Sequence, residues 1–108
     1  MNKSTLLALT LLATALLSAP AADVKVLWDK NCAKCHGADG KGGTKAGKMA
    51  GTKDMTDAKW QAELKDDKAF KGIKEGIKEG DKVRMKPAEG LTDDDIKALV
   101  AYCRTFKK

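Results

Sequence analysis

The chain has 108 residues, enough for one small domain, and 21 basic against 15 acidic residues give it a net charge of +6. Its lysines are interspersed with Asp and Glu rather than gathered into a block, which argues against nucleic acid and leaves solubility or docking to an acidic protein as readings of the charge. Three cysteines cannot all pair within one chain, so either two of them do something other than form an ordinary disulfide framework or one is left over.

Residues 1–22 read as a cleaved signal peptide. Lys3 supplies the positive start, Leu6 to Leu17 the apolar run, and Ala19-Pro20-Ala21 a small-residue cleavage site before Ala22 or Asp23. The run is shorter than the roughly 20 residues of a membrane-spanning helix, so removal is expected rather than retention as an anchor. The expectation is one soluble, exported, periplasmic domain over residues 23–108, with no stable membrane insertion. A domain of that size buries a modest core and needs a staple such as a metal or a large cofactor.

No strand-like alternation of useful length occurs, so an all-α fold is predicted. Asp23 is an N-cap candidate for a first helix reaching Cys35, with Val24, Leu27, Trp28, Cys32 and Cys35 at helical spacings. Gly37 is a C-cap candidate, and the glycine-dense stretch 37–51 has no apolar period and reads as a loop. Asp57 to Leu64 and Asp67 to Ile77 read as short helices whose apolar positions are Trp60, Leu64, Phe70, Ile73 and Ile77, the second ending at Gly80. A loop over 81–90 carries Met85 and Pro87. Thr92, with Asp95 three residues on, opens a last helix whose apolar face is Ile96, Leu99, Val100, Cys103 and Phe106. Asp93, Asp94 and Asp95 at its start and Arg104, Lys107 and Lys108 at its end match the helix dipole.

The chemistry concentrates in Cys32-Ala33-Lys34-Cys35-His36, the spacing of covalent c-type haem attachment. Thiols three residues apart share a helix face, so each can add across one haem vinyl group, and the adjacent imidazole lies under the iron as axial ligand. One covalent haem c is the implied cofactor, and its apolar surface serves as the missing core. A thioredoxin-like pair would follow a strand, and none is predicted here. A zinc site from Cys32, Cys35, His36 and Cys103 has the right ligand types, but it lacks a second two-ligand arm and puts two ligands on adjacent residues.

His36 is the only histidine, so a second histidine cannot fill the sixth iron position. Met85 is the expected ligand, and a His/Met pair raises the reduction potential in favour of electron carriage. Met49 and Met55 come too early in the chain and are expected to fill the core. Cys103 is expected to act as a small buried hydrophobe, a disulfide-linked dimer being the sharper alternative, and the protein is expected to be a monomer. Trp60 is assigned to core packing in preference to a hydrogen bond with a haem propionate.

With these residues in view, the sequence resembles the class I c-type cytochromes, small soluble monohaem electron carriers. The likeness rests on Cys32 to His36, the following Gly37-Ala38-Asp39-Gly40-Lys41-Gly42, Met85 shortly before a last helix, and the helix from Leu91-Thr92-Asp93 to Phe106. It implies a cytochrome c-like fold in which the N- and C-terminal helices pack against the haem, with iron between His36 and Met85. It also implies an exposed haem edge where Lys34, Lys82 and Lys86 would meet redox partner proteins. The implied function is single-electron transfer with no substrate transformed, so not an enzyme.

Two departures stand out. Members often carry a proline after the glycine-rich loop whose carbonyl accepts the imidazole proton, whereas this chain has Lys48-Met49-Ala50-Gly51. Many place a proline directly after the methionine ligand, whereas Lys86 here precedes Pro87. A looser Met85 loop supports the alternative, a haem-based gas sensor or peroxidase-like enzyme with an open sixth position. A peroxidase would want a distal acid or base, and the chain offers no obvious one.

Overall fold

A computed structural model describes residues 23–107. The signal peptide expected over residues 1–22 lies outside the described residues. In chain order the elements are α1 (Val24–Asn31), α2 (Ala33–His36), α3 (Lys45–Ala50), α4 (Ala58–Glu63), α5 (Asp66–Glu75), β1 (Ile77–Glu79), β2 (Lys82–Met85) and α6 (Asp93–Arg104).

Capping explains where the helices begin. The Asp23 carboxylate accepts from the Lys25 amide at 3.0 Å to open α1, and Asp57 does the same for Lys59 at 3.0 Å at the start of α4. At α6 the expected reciprocal cap is complete: Thr92 accepts from the Asp95 amide and Asp95 from the Thr92 amide, both at 3.1 Å. Such a box satisfies two otherwise orphaned N–H groups and fixes the register of the helix.

The last helix packs on both α1 and α5. Ile96, Leu99, Val100 and Cys103 are its buried residues, and Leu99 and Cys103 join Trp28 of α1 and Met55 in one core. Trp60, Ile73, Leu91, Tyr102 and Phe106 are partly buried and close around that core. Gln61 is the core's polar tie: its amide nitrogen donates to the carbonyls of Met55 at 2.7 Å and Cys103 at 2.8 Å, joining α4 to α6. Both bonds run inside the protein, where an unmet carbonyl is costly.

Five sequence expectations need correction. The first helix is not continuous to Cys35, because Cys32 leaves helical geometry at φ −124° and divides it into α1 and α2. The stretch 37–51 is not all loop, since Thr44 caps α3 by accepting from Gly47 at 2.9 Å. That helix has no apolar stripe, so hydrophobic periodicity could not reveal it. The helix predicted to reach Ile77 stops at Gly76, whose φ of +82° ends it, and an antiparallel hairpin of β1 and β2 follows. Gly80 supplies a positive φ at the first position of the two-residue hairpin loop, which Gly does without steric cost. Met85 is therefore the last residue of a strand rather than part of an open loop. Finally, Met49 is 72% exposed and fills no core, whereas Met55 is buried as expected.

Register matters near Met85. Ile77 pairs with Met85 and Lys78 with Val83, so Arg84 is the extra residue of a β-bulge on the second strand. Among the described residues, no helix is long and apolar enough to cross a membrane.

Candidate functional site

Cys32, Cys35 and His36 are presented by the single turn of α2, and a helix so short cannot hold itself. Its backbone is held from outside instead. The Cys32 carbonyl accepts from Cys35 at 3.2 Å and His36 at 3.0 Å, and the Ala33 carbonyl accepts from Gly37 at 2.8 Å. Beyond these, the Thr44 hydroxyl lies 2.7 Å from the Lys34 carbonyl and 3.0 Å from that of Cys35, sharing its one proton between them. The Gly42 amide donates to the His36 carbonyl at 2.9 Å. The Trp28 indole N–H donates to the Gly37 carbonyl at 3.0 Å. Every C-terminal carbonyl of the turn thus has a donor, although a free helix end would leave them orphaned. Gly47 of α3 packs so tightly on the turn that a Cβ there would overlap the Cys35 carbonyl oxygen.

Cys32, Cys35 and Cys103 are all unpaired thiols. His36 sits with its ring 5.5 Å from that of Trp28, and its buried Nδ1 has no hydrogen-bond partner. Burial lowers the His36 pKa below the ordinary histidine value, which favours the neutral imidazole whose lone pair binds a metal. The Nδ1 without a partner agrees with the absence of a proline, and of its carbonyl, in Lys48-Met49-Ala50-Gly51. Burial pushes the Cys32 thiol up to about 12, with Cys103 adding to the shift, and pushes Cys103 itself up to about 11. No three His, Cys, Asp or Glu side chains among the described residues come together as metal ligands, so the zinc set is not assembled.

Met85 lies half-buried at the end of β2. It rests on two glycines of the α5 segment: a Cβ at Gly72 would stand 3.7 Å from the Met85 methyl carbon, and one at Gly76 would stand 2.7 Å from the Met85 carbonyl oxygen. Helix α3 packs against both α2 and β2, so it links the turn carrying His36 to the strand carrying Met85. Lys34, Lys82 and Lys86 are exposed.

A locked turn that offers two thiols and a neutral, unbonded imidazole fits a covalently attached haem, and comparison with known proteins agrees. The sequence model of the cytochrome c family matches residues 21–107.

The chain belongs to the cytochrome c family.

Its helical fold is that of the family, with the small two-stranded hairpin added, and its cofactor is haem c. A solved structure named "KustC0563 c-type cytochrome" is 38% identical, with a TM-score of 0.71 over 81% of this chain and 100% of that one. A point mutant of Kustc0563 is 37% identical, with a TM-score of 0.68 over 80% of this chain and 100% of its own. No curated protein matches the chain. Family membership makes this cytochrome a haem-based electron carrier.

Three residues that position the site were not singled out from sequence. Thr44 and Gly47 act on the backbone of α2, which no side-chain pattern records; the available signal was a Thr followed by helix-tolerant residues and a closing Gly51. Trp28 was assigned only an apolar role, yet its indole N–H holds the residue after His36. Cys103, 5% exposed with a raised pKa, is expected to be inert. Native holoprotein treated with iodoacetamide should gain no mass and run as a monomer without reductant, whereas the denatured protein should take up one label.

Proposed function

We propose that this cytochrome is an exported, monomeric single-electron carrier in which His36 and Met85 are the two axial ligands and Cys32 and Cys35 the covalent attachment points. The observation that carries the reading is the locked α2 turn, whose one buried side-chain nitrogen or oxygen without a hydrogen-bond partner is Nδ1 of the His36 ring. For the opposite ligand, Met55 is committed to the core and Met49 lies on the exposed side of α3, which leaves Met85 of the described methionines.

Bound haem supplies a one-electron iron couple, and its apolar faces extend a small core. The residues do the rest. His36 donates Nε2 in the neutral form that burial favours. The frame of Trp28, Gly42, Thr44 and Gly47 keeps that imidazole in place, so little rearranges when an electron arrives or leaves. Met85 contributes a neutral sulfur, which favours the ferrous state and raises the potential. Exposed Lys34, Lys82 and Lys86 steer an acidic redox partner in transient encounters, which predicts association rates that fall with ionic strength. His36 is the only histidine and is assigned to the iron, so a distal histidine of the peroxidase kind is not offered.

The test is the visible absorption spectrum of purified holoprotein, oxidised and reduced, with and without carbon monoxide. A low-spin spectrum carrying the weak charge-transfer band of sulfur on ferric iron, unchanged by carbon monoxide, is expected. A high-spin iron that binds carbon monoxide readily would replace this reading with the sensor or peroxidase alternative.

A further inference from the structure

Lys86 follows Met85, so no proline ring stiffens the chain directly after it. A tie to the rest of the fold is visible around Arg84 instead. As the extra residue of the β-bulge, Arg84 lies outside the regular pairing of β1 and β2, and bulges redirect a side chain in this way. Its Nη1 donates to the carbonyl of Ala50, the last residue of α3, at 3.2 Å. Its Nε and Nη2 hold one carboxylate oxygen of Glu79 at 3.1 and 3.0 Å across the hairpin. The guanidinium has a fitted seat: Gly51 ends α3 at φ +70°, and a Cβ there would stand 2.9 Å from Nη1.

The two ends of this bridge differ in weight. Glu79 is 68% exposed, so water and salt screen that ion pair. The bond to Ala50 is charge-assisted, meets a helix-end carbonyl and spans 34 residues of sequence. It ties the residue preceding Met85 to the helix that packs on the His36 turn.

We infer that Arg84 is a positioning residue: its bridge from β2 to α3 holds Met85 in the sixth iron position. The inference rests on the assignment of Met85 as ligand. For this to hold, release of Met85 must take β2 away from α3 and break the Arg84–Ala50 bond, which would then bias the protein toward the closed state.

Imidazole titration of ferric holoprotein reads that bias, because a bond from iron to the imidazole nitrogen forms only as the bond to the Met85 sulfur breaks. Apparent affinity then follows the fraction of molecules that are open. Arg84→Gln is expected to raise apparent imidazole affinity roughly tenfold, the scale of one lost charge-assisted hydrogen bond. Arg84→Lys keeps the charge without the fork that serves two partners, and should stay nearer to the Gln variant than to wild type. In a Met85→Ala background, where no sulfur holds the position, Arg84→Gln should change imidazole affinity less than about twofold. An Arg84→Gln protein with a lower unfolding midpoint but wild-type imidazole affinity would show a merely structural arginine and overturn the inference alone. A sulfur band that survives in Met85→Ala would remove the ligand assignment and this inference together.

Discussion

Replacing Met85 by alanine is expected to abolish the sulfur charge-transfer band and convert the ferric iron from low to high spin. The reduced variant should bind carbon monoxide, which the wild type is expected to exclude. The effect should be complete rather than partial, because the candidates for replacement are poorly placed. Met55 is buried among Trp28, Leu99 and Cys103, and the backbone around it is bonded, its amide to the Gly40 carbonyl at 2.8 Å and its carbonyl to Gln61 at 2.7 Å. Met49 is directed to solvent from α3. The potential should fall on the order of a tenth of a volt or more, within the roughly 0.8 V that axial ligands span. Met85→His separates coordination from packing: it should restore a low-spin spectrum without the sulfur band and leave the potential low. Electronic absorption and a redox titration of the three proteins check all of this, and an unaltered spectrum in Met85→Ala would show that another residue holds the iron.

Trp28→Ala is expected to be the most destabilising single substitution in the attachment frame. Trp28 is 1% exposed, its ring lies 5.3 Å from Tyr102 and 5.0 Å from Phe106, and its N–H is the donor for the Gly37 carbonyl. Removing a buried Trp costs about 3–5 kcal/mol through lost transfer energy and the cavity left behind. Leaving a buried carbonyl unmet adds about 1–3 kcal/mol. Together these approach the whole stability of a domain this size, about 5–15 kcal/mol, so little folded holoprotein should accumulate. Trp28→Phe divides the two contributions, since it keeps much of the ring contact but removes the donor. It should fold, with a midpoint in urea lowered by a loss of about 1–3 kcal/mol. If Trp28→Phe matched wild type, the indole bond would have no share in holding the turn. Damage should also reach the loop after His36, because Phe106 lies directly over Gly40: a Cβ there would stand 2.6 Å from the ring.

Much of the architecture was written in local patterns. The α6 cap and apolar face, the extent of α4 and the burial of Trp28 and Cys103 all follow from spacing and capping within a few residues. The break at Cys32 did not, because apolar spacing continues through it while the hydrogen bonds change partners. Helix α3 and the hairpin escaped for a related reason. Lys45–Ala50 and the residues flanking Gly80 are too short and too charged to carry a period, and their neighbours hold them: α2 for the helix, and Gly72 and Gly76 under Met85 for the strand.

The sequence by itself determined the cofactor chemistry, because two thiols and an imidazole at fixed spacing are a covalent fact independent of the fold, and a single histidine restricts what can lie opposite. Only the tertiary structure decided how those groups are held. The donors that lock α2 come from Trp28, Gly42 and Thr44, and the bulge at Arg84 reaches Ala50 across 34 residues of chain. Hydrogen bonds to backbone carbonyls leave no mark in residue type on the accepting side. They become visible only when folding brings the donor within about 3 Å.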